Sequence, residues 1–509
     1  MTSLTTSFPN AARSRLVWAA WRLSAGLALL PPLWSGCGGG LIATVGPDYQ
    51  APAPPTAPRW QAEPPAAPLA HGGDPAALER WWEGFQDPTL DRFLAAAQRE
   101  SADVAEARAR IEEARAGLAG AESTGLPRLD GSADITHSNF SFGGPPFMRD
   151  QYQIGLQSNW EIDLFGGIAR QREAADSQVQ ARAASWHAAR VAVAVEVANA
   201  YLEYRLCEAL VGLADADAAS RRETARLTDI AGSAGLRAPA DVALARASAA
   251  DGQDGLLRQQ GQCERAIKGL VALTGLSEPE VRHRLTAAPE RVARMPNPPP
   301  FRLDGLPARV LLQRPDVAAA ERAVAEASAQ IGVEQAKRFP KLSLSGNITP
   351  SLQSINGAAL VLAQTWSFGP TLSLPLFDWG KRAADVAAAN ARYQAAVSRF
   401  KSTVRTAAQE VEEALVRLRA AEQRLPEARA AAEGYRANFR ATEQLYRVGF
   451  GSLIDAEASR RQALASERAV AELEQEYAAA WIALYRAAGG SWEDRPSALP
   501  TASPGNHAS

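Results

Sequence analysis

The side chains able to do covalent or acid–base chemistry have a spacing in this chain that points away from catalysis. The five histidines, His71, His137, His187, His283 and His507, are scattered with no metal-ligand spacing. No Walker A loop, HExxH or Cys-x-x-Cys occurs. The 56 Asp and Glu lie mostly on stretches that share the chain's 54 Lys and Arg, the pattern of solvated helix faces. Neither a catalytic residue nor a cofactor or metal is expected. Three cysteines remain: Cys37, Cys207 and Cys263. Cys207 lies 28 residues before Gly235 and Cys263 lies 28 after it. If the chain folds back at Gly235 as an antiparallel helical hairpin, the two thiols stand at equal height. A disulfide would then clamp the hairpin; the alternative is a pair of buried free thiols.

Cys37 belongs to a different chemistry. It follows an apolar run, Leu16 to Trp34, that is preceded by Arg13 and Arg15 and interrupted by Arg22. A charged start, an apolar centre and a small-residue end make a secretory signal over residues 1–36. Leu33-Trp34-Ser35-Gly36-Cys37 is similar to the bacterial lipobox, in which the cysteine becomes a lipidated first residue; Trp34 departs from the usual Leu. The alternative is an ordinary signal peptide or signal anchor. The full chain has a net charge of −2 and a mean hydropathy of −0.20. That excludes a bundle of membrane helices, and no basic stripe suggests nucleic acid.

One plan is used twice. Asp103-Val104 matches Asp316-Val317 and Leu126-Pro127 matches Phe339-Pro340, both at an offset of 213. Leu164-Phe165-Gly166 matches Leu376-Phe377-Asp378 at 212, and Gly235 matches Gly449 at 214. The repeats run over 81–300 and 301–490, after a Pro/Ala-rich tether (37–80, extended) and before a disordered tail (491–509). Each reads as helix, strand, loop, strand, very long helix, tip and returning helix. The first helices, Ala102 to Ser123 and Asp316 to Arg338, both stop just before a proline.

Strands are expected at about 128–138, 151–165, 341–349 and 366–377. In the second, Tyr152, Ile154, Leu156, Trp160, Ile162 and Leu164 share one face, and Gln151, Gln153, Gln157, Asn159, Glu161 and Asp163 the other. Period two marks a strand with one wet and one oily face. Leu129, Ala133 and Ile135, then Leu342, Leu344 and Ile348, then Trp366, Phe368, Leu372, Leu374 and Leu376 repeat the pattern, with Pro370 and Pro375 weakening the last strand. A soluble sheet with one solvated face gives the same alternation. Strand length, the aromatics Trp160, Phe165, Trp366, Phe377 and Trp379, and the signal sequence favour a transmembrane barrel. Four strands cannot close one, so the barrel reading requires oligomerisation. The loops Asn139 to Arg149 and Pro350 to Thr365 would then face the cell exterior.

Proline is absent from Ile168 to Ile230 and from Arg382 to Leu425, with helix resuming over Glu427 to Arg447. Some 65 helical residues span roughly 100 Å. Tyr393, Val397, Phe400, Val404, Val411, Leu415, Leu418 and Leu425 form a heptad seam. Tips are expected at about 232–239 and 449–452, where glycine and proline punctuate.

These landmarks, in their order, resemble the outer membrane factor family, the TolC-like proteins, and within it the NodT/OprM-type outer-membrane efflux lipoproteins. The residues that carry the likeness are Gly46-Pro47-Asp48-Tyr49, Trp81-Trp82 with Phe85-Gln86-Asp87-Pro88, Trp160 to Gly166, Leu312-Gln313-Arg314-Pro315-Asp316 with Ala320-Glu321, Ala329 to Gly332, Phe339-Pro340, and Gly369 to Phe377. They cover about residues 37–490. The resemblance implies a TolC-like fold, α-dominated, with four strands and long coiled helices per protomer. It also implies a homotrimer enclosing a twelve-stranded barrel and a twelve-helix periplasmic tunnel, docked to a periplasmic adaptor and an inner-membrane pump. It further implies a tunnel that closes at its periplasmic end. Tyr446, Gly449 and Asp455 resemble the family's tip motif in the second repeat, and Gly235, Leu236 and Asp241 in the first. Gly451 stands where related proteins often carry a basic residue. Three copies of Asp455 and Asp241 about a threefold axis would make a carboxylate ring; the alternative is two ordinary helix N-caps. Gly449 and Gly451 are candidate hinges. The function expected is passive export across the outer membrane. The competing readings are a trimeric surface adhesin, a periplasmic adaptor and a secreted hydrolase. The first should keep its strands together at one end of the chain, and the second needs only one helical hairpin.

Overall fold

The computed structural model describes residues 40–65, 69–71, 78, 80–141, 143–287, 295–303 and 307–491. The signal segment, Cys37 and the tail from residue 492 onward lie outside the described residues. In chain order the elements are β1 (Leu69–His71), a 3-10 turn (Trp82–Phe85), α1 (Pro88–Glu100), α2 (Ala102–Ser123), β2 (Arg128–Phe140), β3 (Phe147–Ile162), α3 (Gly167–Ser233), α4 (Pro239–Thr274), α5 (Glu278–Thr286), β4 (Phe301–Leu303), α6 (Pro307–Leu312), α7 (Pro315–Ala336), β5 (Lys341–Ile355), β6 (Val361–Ser373), α8 (Lys381–Arg447) and α9 (Leu453–Ala487). The long helices α3 and α8 have 67 residues each, about 100 Å of helix at the usual rise.

Two compact units result, and neither is one sequence repeat. The first takes Met1–Gly46, Thr124–Gln171 and Gly332–Arg382. Its sheet has the order β2-β3-β5-β6, antiparallel throughout, so both repeats contribute one hairpin. Pairing of β3 with β5 is what interleaves the repeats. Register sets Arg128 opposite Asn159, Trp160 opposite Leu344 and Ile348 opposite Trp366. Apolar side chains therefore fall on one face, and that face is open: Trp366 is 74 % exposed and Ile154 68 %.

The strand ends differ from those expected, each for a local reason. Strand β3 begins at Phe147 and β5 runs on to Ile355. The loops shrink because Asn356 and Gly357, at φ +50° and +77°, make a tight turn closed by Ala358 N–H to the Ile355 carbonyl at 3.0 Å. Strand β3 stops at Ile162 because the segment after Gly40 takes over its backbone. Leu41 N–H donates to the Asp163 carbonyl at 2.7 Å, and Val45 N–H to that of Phe165 at 3.0 Å. Strand β6 starts at Val361 and ends at Ser373, two residues before Pro375.

The second unit takes Pro47–Ser123, Arg172–Ile331 and Ala383–Ser509. Its core joins Trp481, Tyr201, Phe93, Phe301 and Phe400, all fully buried. The heptad seam of α8 is core: Phe400, Val404, Ala407, Val411, Leu415 and Leu418 are buried. Trp81 stacks on Tyr485 at 4.6 Å and donates its indole N–H to the Pro299 carbonyl at 2.8 Å. Cys207 and Cys263 are joined by a disulfide with their Cα atoms 5.5 Å apart, linking α3 to α4.

One sequence expectation is corrected in this unit, the break at Pro426. The stretch after Gly46 is held by hydrogen bonds to side chains of the second repeat. Tyr49 hydroxyl donates to Glu321, and the N–H groups of Gln61 and Ala62 donate to the two Glu412 oxygens at 2.7 and 2.8 Å. Strand β1 then pairs in parallel with β4 of the second repeat. Prolines leave that segment little conformational entropy to lose, so a few such bonds hold it. Helix α8 continues unbroken through Pro426. An internal proline costs about 3 kcal/mol, but the buried seam lies on one side of it. Arg424–Glu476 at 3.1 Å and Arg429–Glu474 at 2.7 Å join α8 to α9 on either side.

Candidate functional site at the paired hairpin tips

Both helical hairpins turn with the same local chemistry. After α3, Gly235 has φ +75°; its N–H reaches the Gly232 carbonyl at 3.0 Å, and Leu236 N–H reaches Ala231 at 2.8 Å. After α8, Gly449 has φ +87°; its N–H reaches Tyr446 at 3.1 Å, and Phe450 N–H reaches Leu445 at 2.9 Å. These are two Schellman caps, each needing a left-handed residue that glycine supplies without strain. Gly451 has a steric role: a Cβ there would lie 2.8 Å from the Tyr446 nitrogen. Beyond the caps Leu236 and Phe450 point outward, Phe450 being 86 % exposed.

Asp241 and Asp455 occupy equivalent places, each the third residue of its returning helix. The N-cap reading is thereby corrected. The caps are Ala238 and Ser452, and Ser452 Oγ accepts from Ile454 N–H at 3.1 Å. Carboxylates in a first helical turn meet the positive end of the helix dipole. Among the described residues neither side chain has an ion-pair partner.

Tyr446 ties the hairpins together. Its ring is buried with Ala225, Ala245, Leu453 and Ala456. Its hydroxyl shares a 2.6 Å hydrogen bond with Thr228 on α3, and the Arg237 guanidinium sits 4.7 Å from the ring centroid.

A polar cluster that sequence reasoning missed lies just behind Tyr446. Arg460 and Glu457 are only 3 and 4 % exposed, and their side chains pair directly. Arg460 also donates to Ser220 and Thr224 hydroxyls on α3, both at 3.1 Å, and faces Asp217 at 3.9 Å. Glu457 accepts from Ser248 on α4 at 2.7 Å. Arg221, itself bonded to Asp217 at 2.7 Å, reaches Ser248 at 3.2 Å. Ser459 and Thr442 close the α8 side at 3.0 Å. Four helices thus meet through buried charge. Burial pushes the Asp217 carboxyl above its usual range, outweighing the pull of Arg221 and Arg460. The available signal was the step Leu453, Ala456, Arg460, Ala463, which puts an arginine in a core slot of the helix seam.

Among the described residues no group of His, Cys, Asp and Glu could hold a metal ion. What the site can do is hold two helical hairpins together or release them.

Comparison with known proteins identifies the family. A family model described as outer membrane efflux protein matches residues 94–276 and 306–490. Nodulation protein T of Rhizobium leguminosarum bv. trifolii is 29 % identical over 474 residues, 90 % of this chain and 96 % of that protein. The solvent efflux pump outer membrane protein SrpC of Pseudomonas putida is 28 % identical over 457 residues, covering 88 and 95 %. The solved outer-membrane channel OprN superposes with a TM-score of 0.73 at 29 % identity, over 88 % of this chain and all of that one. The adhesin alternative finds no support, and the strands are indeed divided between two repeats. With its TolC-like fold and non-catalytic helical hairpins, the chain belongs to the outer membrane efflux protein family and is an outer-membrane efflux channel.

Proposed function

We propose that three copies of this chain close one duct, which an inner-membrane pump loads through a periplasmic adaptor. The observation that carries the trimer is the sheet of the first unit. Its outer strands β2 and β6 have partners on one side only, and its apolar face is open. Unpaired edges cannot stand in lipid, and a face of that area does not stay free in water. Three sheets joined edge to edge satisfy both demands and make a twelve-stranded barrel with a polar lumen. Three sets of long hairpins supply the twelve-helix tunnel.

In this reading the tips are the gate. Tyr446 and its bond to Thr228 hold the hairpins shut, Asp455 and Asp241 ring the closed end, and Gly235, Gly449 and Gly451 set the turns that shift on opening. Leu236, Val448, Phe450 and Ile454, all exposed, form the apolar surface that an adaptor would cover. Cys37 carries the lipid. The segment from Gly40, three residues on in the sequence, is bonded along Asp163 to Phe165. The drive comes from the pump; the sequence carries no Walker A loop.

The mass of the detergent-solubilised protein tests the assembly. Three copies per particle are expected by light scattering corrected for bound detergent. A monomer that stays in solution after detergent is removed would overturn the barrel.

A further inference from the structure

The polar face of the sheet changes character at its hairpin end. Alternation and register put Phe140, Phe147, Arg149 and Ile355 on the same face as Asp134, Gln151 and Gln153, opposite to Ile154 and Trp366. Phe140 and Phe147 face each other across the pair and stack with centroids 5.8 Å apart, and the Arg149 guanidinium lies 6.0 Å from the Phe140 ring. Elsewhere this face is lined mainly by Ser, Thr, Asn, Gln and charged side chains, and the four strands place no further aromatic residue on it. An aromatic pair under an arginine is therefore a local departure, and it occurs only where the hairpins turn.

The charge balance is local too. Arg128, Arg149 and Lys341 are the cations of this face. Arg128 pairs with Asp130 at 2.8 Å and Lys341 with Glu161 at 3.2 Å. Arg149 instead meets amides: it donates to Gln151, Gln151 donates to Gln153 at 2.7 Å, and Gln153 donates to Asp134 at 3.3 Å. No carboxylate pairs with it among the described residues. Its backbone is also fixed. Next to it Met148 N–H donates to the Asn356 side chain at 2.7 Å, and Asn356 N–H donates to the Met148 carbonyl at 2.8 Å, clipping the two hairpin ends together.

We propose that Phe140, Phe147 and Arg149 form a cationic aromatic collar at the outer mouth of the duct, which narrows it and favours the exit of anions. The proposal rests on reading the sheet as one third of a closed barrel. Three arginines around one axis would set the sign of the field at the mouth, and the stacked rings, backed by Ile355, would set its width.

The test is the reversal potential of reconstituted protein under a potassium chloride gradient, in a Tyr446→Ala background that opens the tips. Arg149→Gln should move the chloride-to-potassium permeability ratio toward potassium, on the order of threefold, as charged rings do in other pores. Arg149→Lys should keep the ratio of the parent. Phe140→Ala with Phe147→Ala should raise conductance and leave the sign of the preference unchanged. An unchanged ratio in Arg149→Gln, in a channel that conducts, would overturn the collar alone. Absence of conductance from every variant would overturn the duct reading and the collar with it.

Discussion

Arg460→Ala should lower the stability of the helical unit by about 3–5 kcal/mol, the usual cost of removing one partner from a buried charge pair. Arg460 is nearly inaccessible and bonds to Glu457, Ser220 and Thr224, with Asp217 close by. Its loss would strand Glu457 with only the Ser248 hydroxyl as partner and leave Asp217 to Arg221 alone. The cause is uncompensated charge, not lost volume. The double variant Arg460→Met with Glu457→Leu should therefore recover most of the loss, because apolar side chains of similar size often replace a buried ion pair at little cost. Thermal unfolding in detergent, followed by circular dichroism, reads both. A single variant less than about 1 kcal/mol below wild type would mean the cluster is solvated and plays no part in joining the hairpins.

The second large effect concerns the disulfide. It closes a loop of 57 residues between α3 and α4, for which chain entropy gives about 4 kcal/mol. Cys207→Ser with Cys263→Ser should therefore lower the unfolding midpoint markedly, and reducing agent should do the same to the wild type and nothing to the variant. The second hairpin has Ala421 and Tyr477 at the equivalent places, so no second disulfide stands there. Equal midpoints for wild type with and without reductant would show that the bond adds nothing to the folded state.

Much of this architecture is written in local pattern. The alternation of Tyr152, Ile154 and Leu156 with Gln151, Gln153 and Gln157 marks β3 because side chains on a strand must alternate. Gly235 and Gly449 mark the tips because a Schellman cap needs a left-handed residue. What local pattern cannot carry is partnership across the chain. The loops read too long because Asn356-Gly357 fixes a tight turn that lengthens both flanking strands. Pro426 read as a break because proline is costly in an isolated helix, whereas here the helix continues through it, with ion pairs to α9 on either side. Arg460 and Glu457 carry no local mark, because charged helix residues are usually solvated; only the packing of four helices buries them.

The landmark residues divide in the same way. Asp87 caps α1 through Thr89 N–H at 3.0 Å and accepts from Tyr201 at 2.6 Å. Arg314 reaches the Ala487 carbonyl at 3.0 Å and Glu410 at 2.6 Å. Both residues hold helices in place.

The account stands most directly on single-channel recording. Wild-type protein in a planar bilayer should show low or brief conductance, as a duct closed at its tips would. Tyr446→Ala, which removes the buried ring and its bond to Thr228, should open it to long-lived conductance several times larger. No conductance from either protein, with the chain monomeric and soluble without detergent, would contradict a barrel and a gate alike.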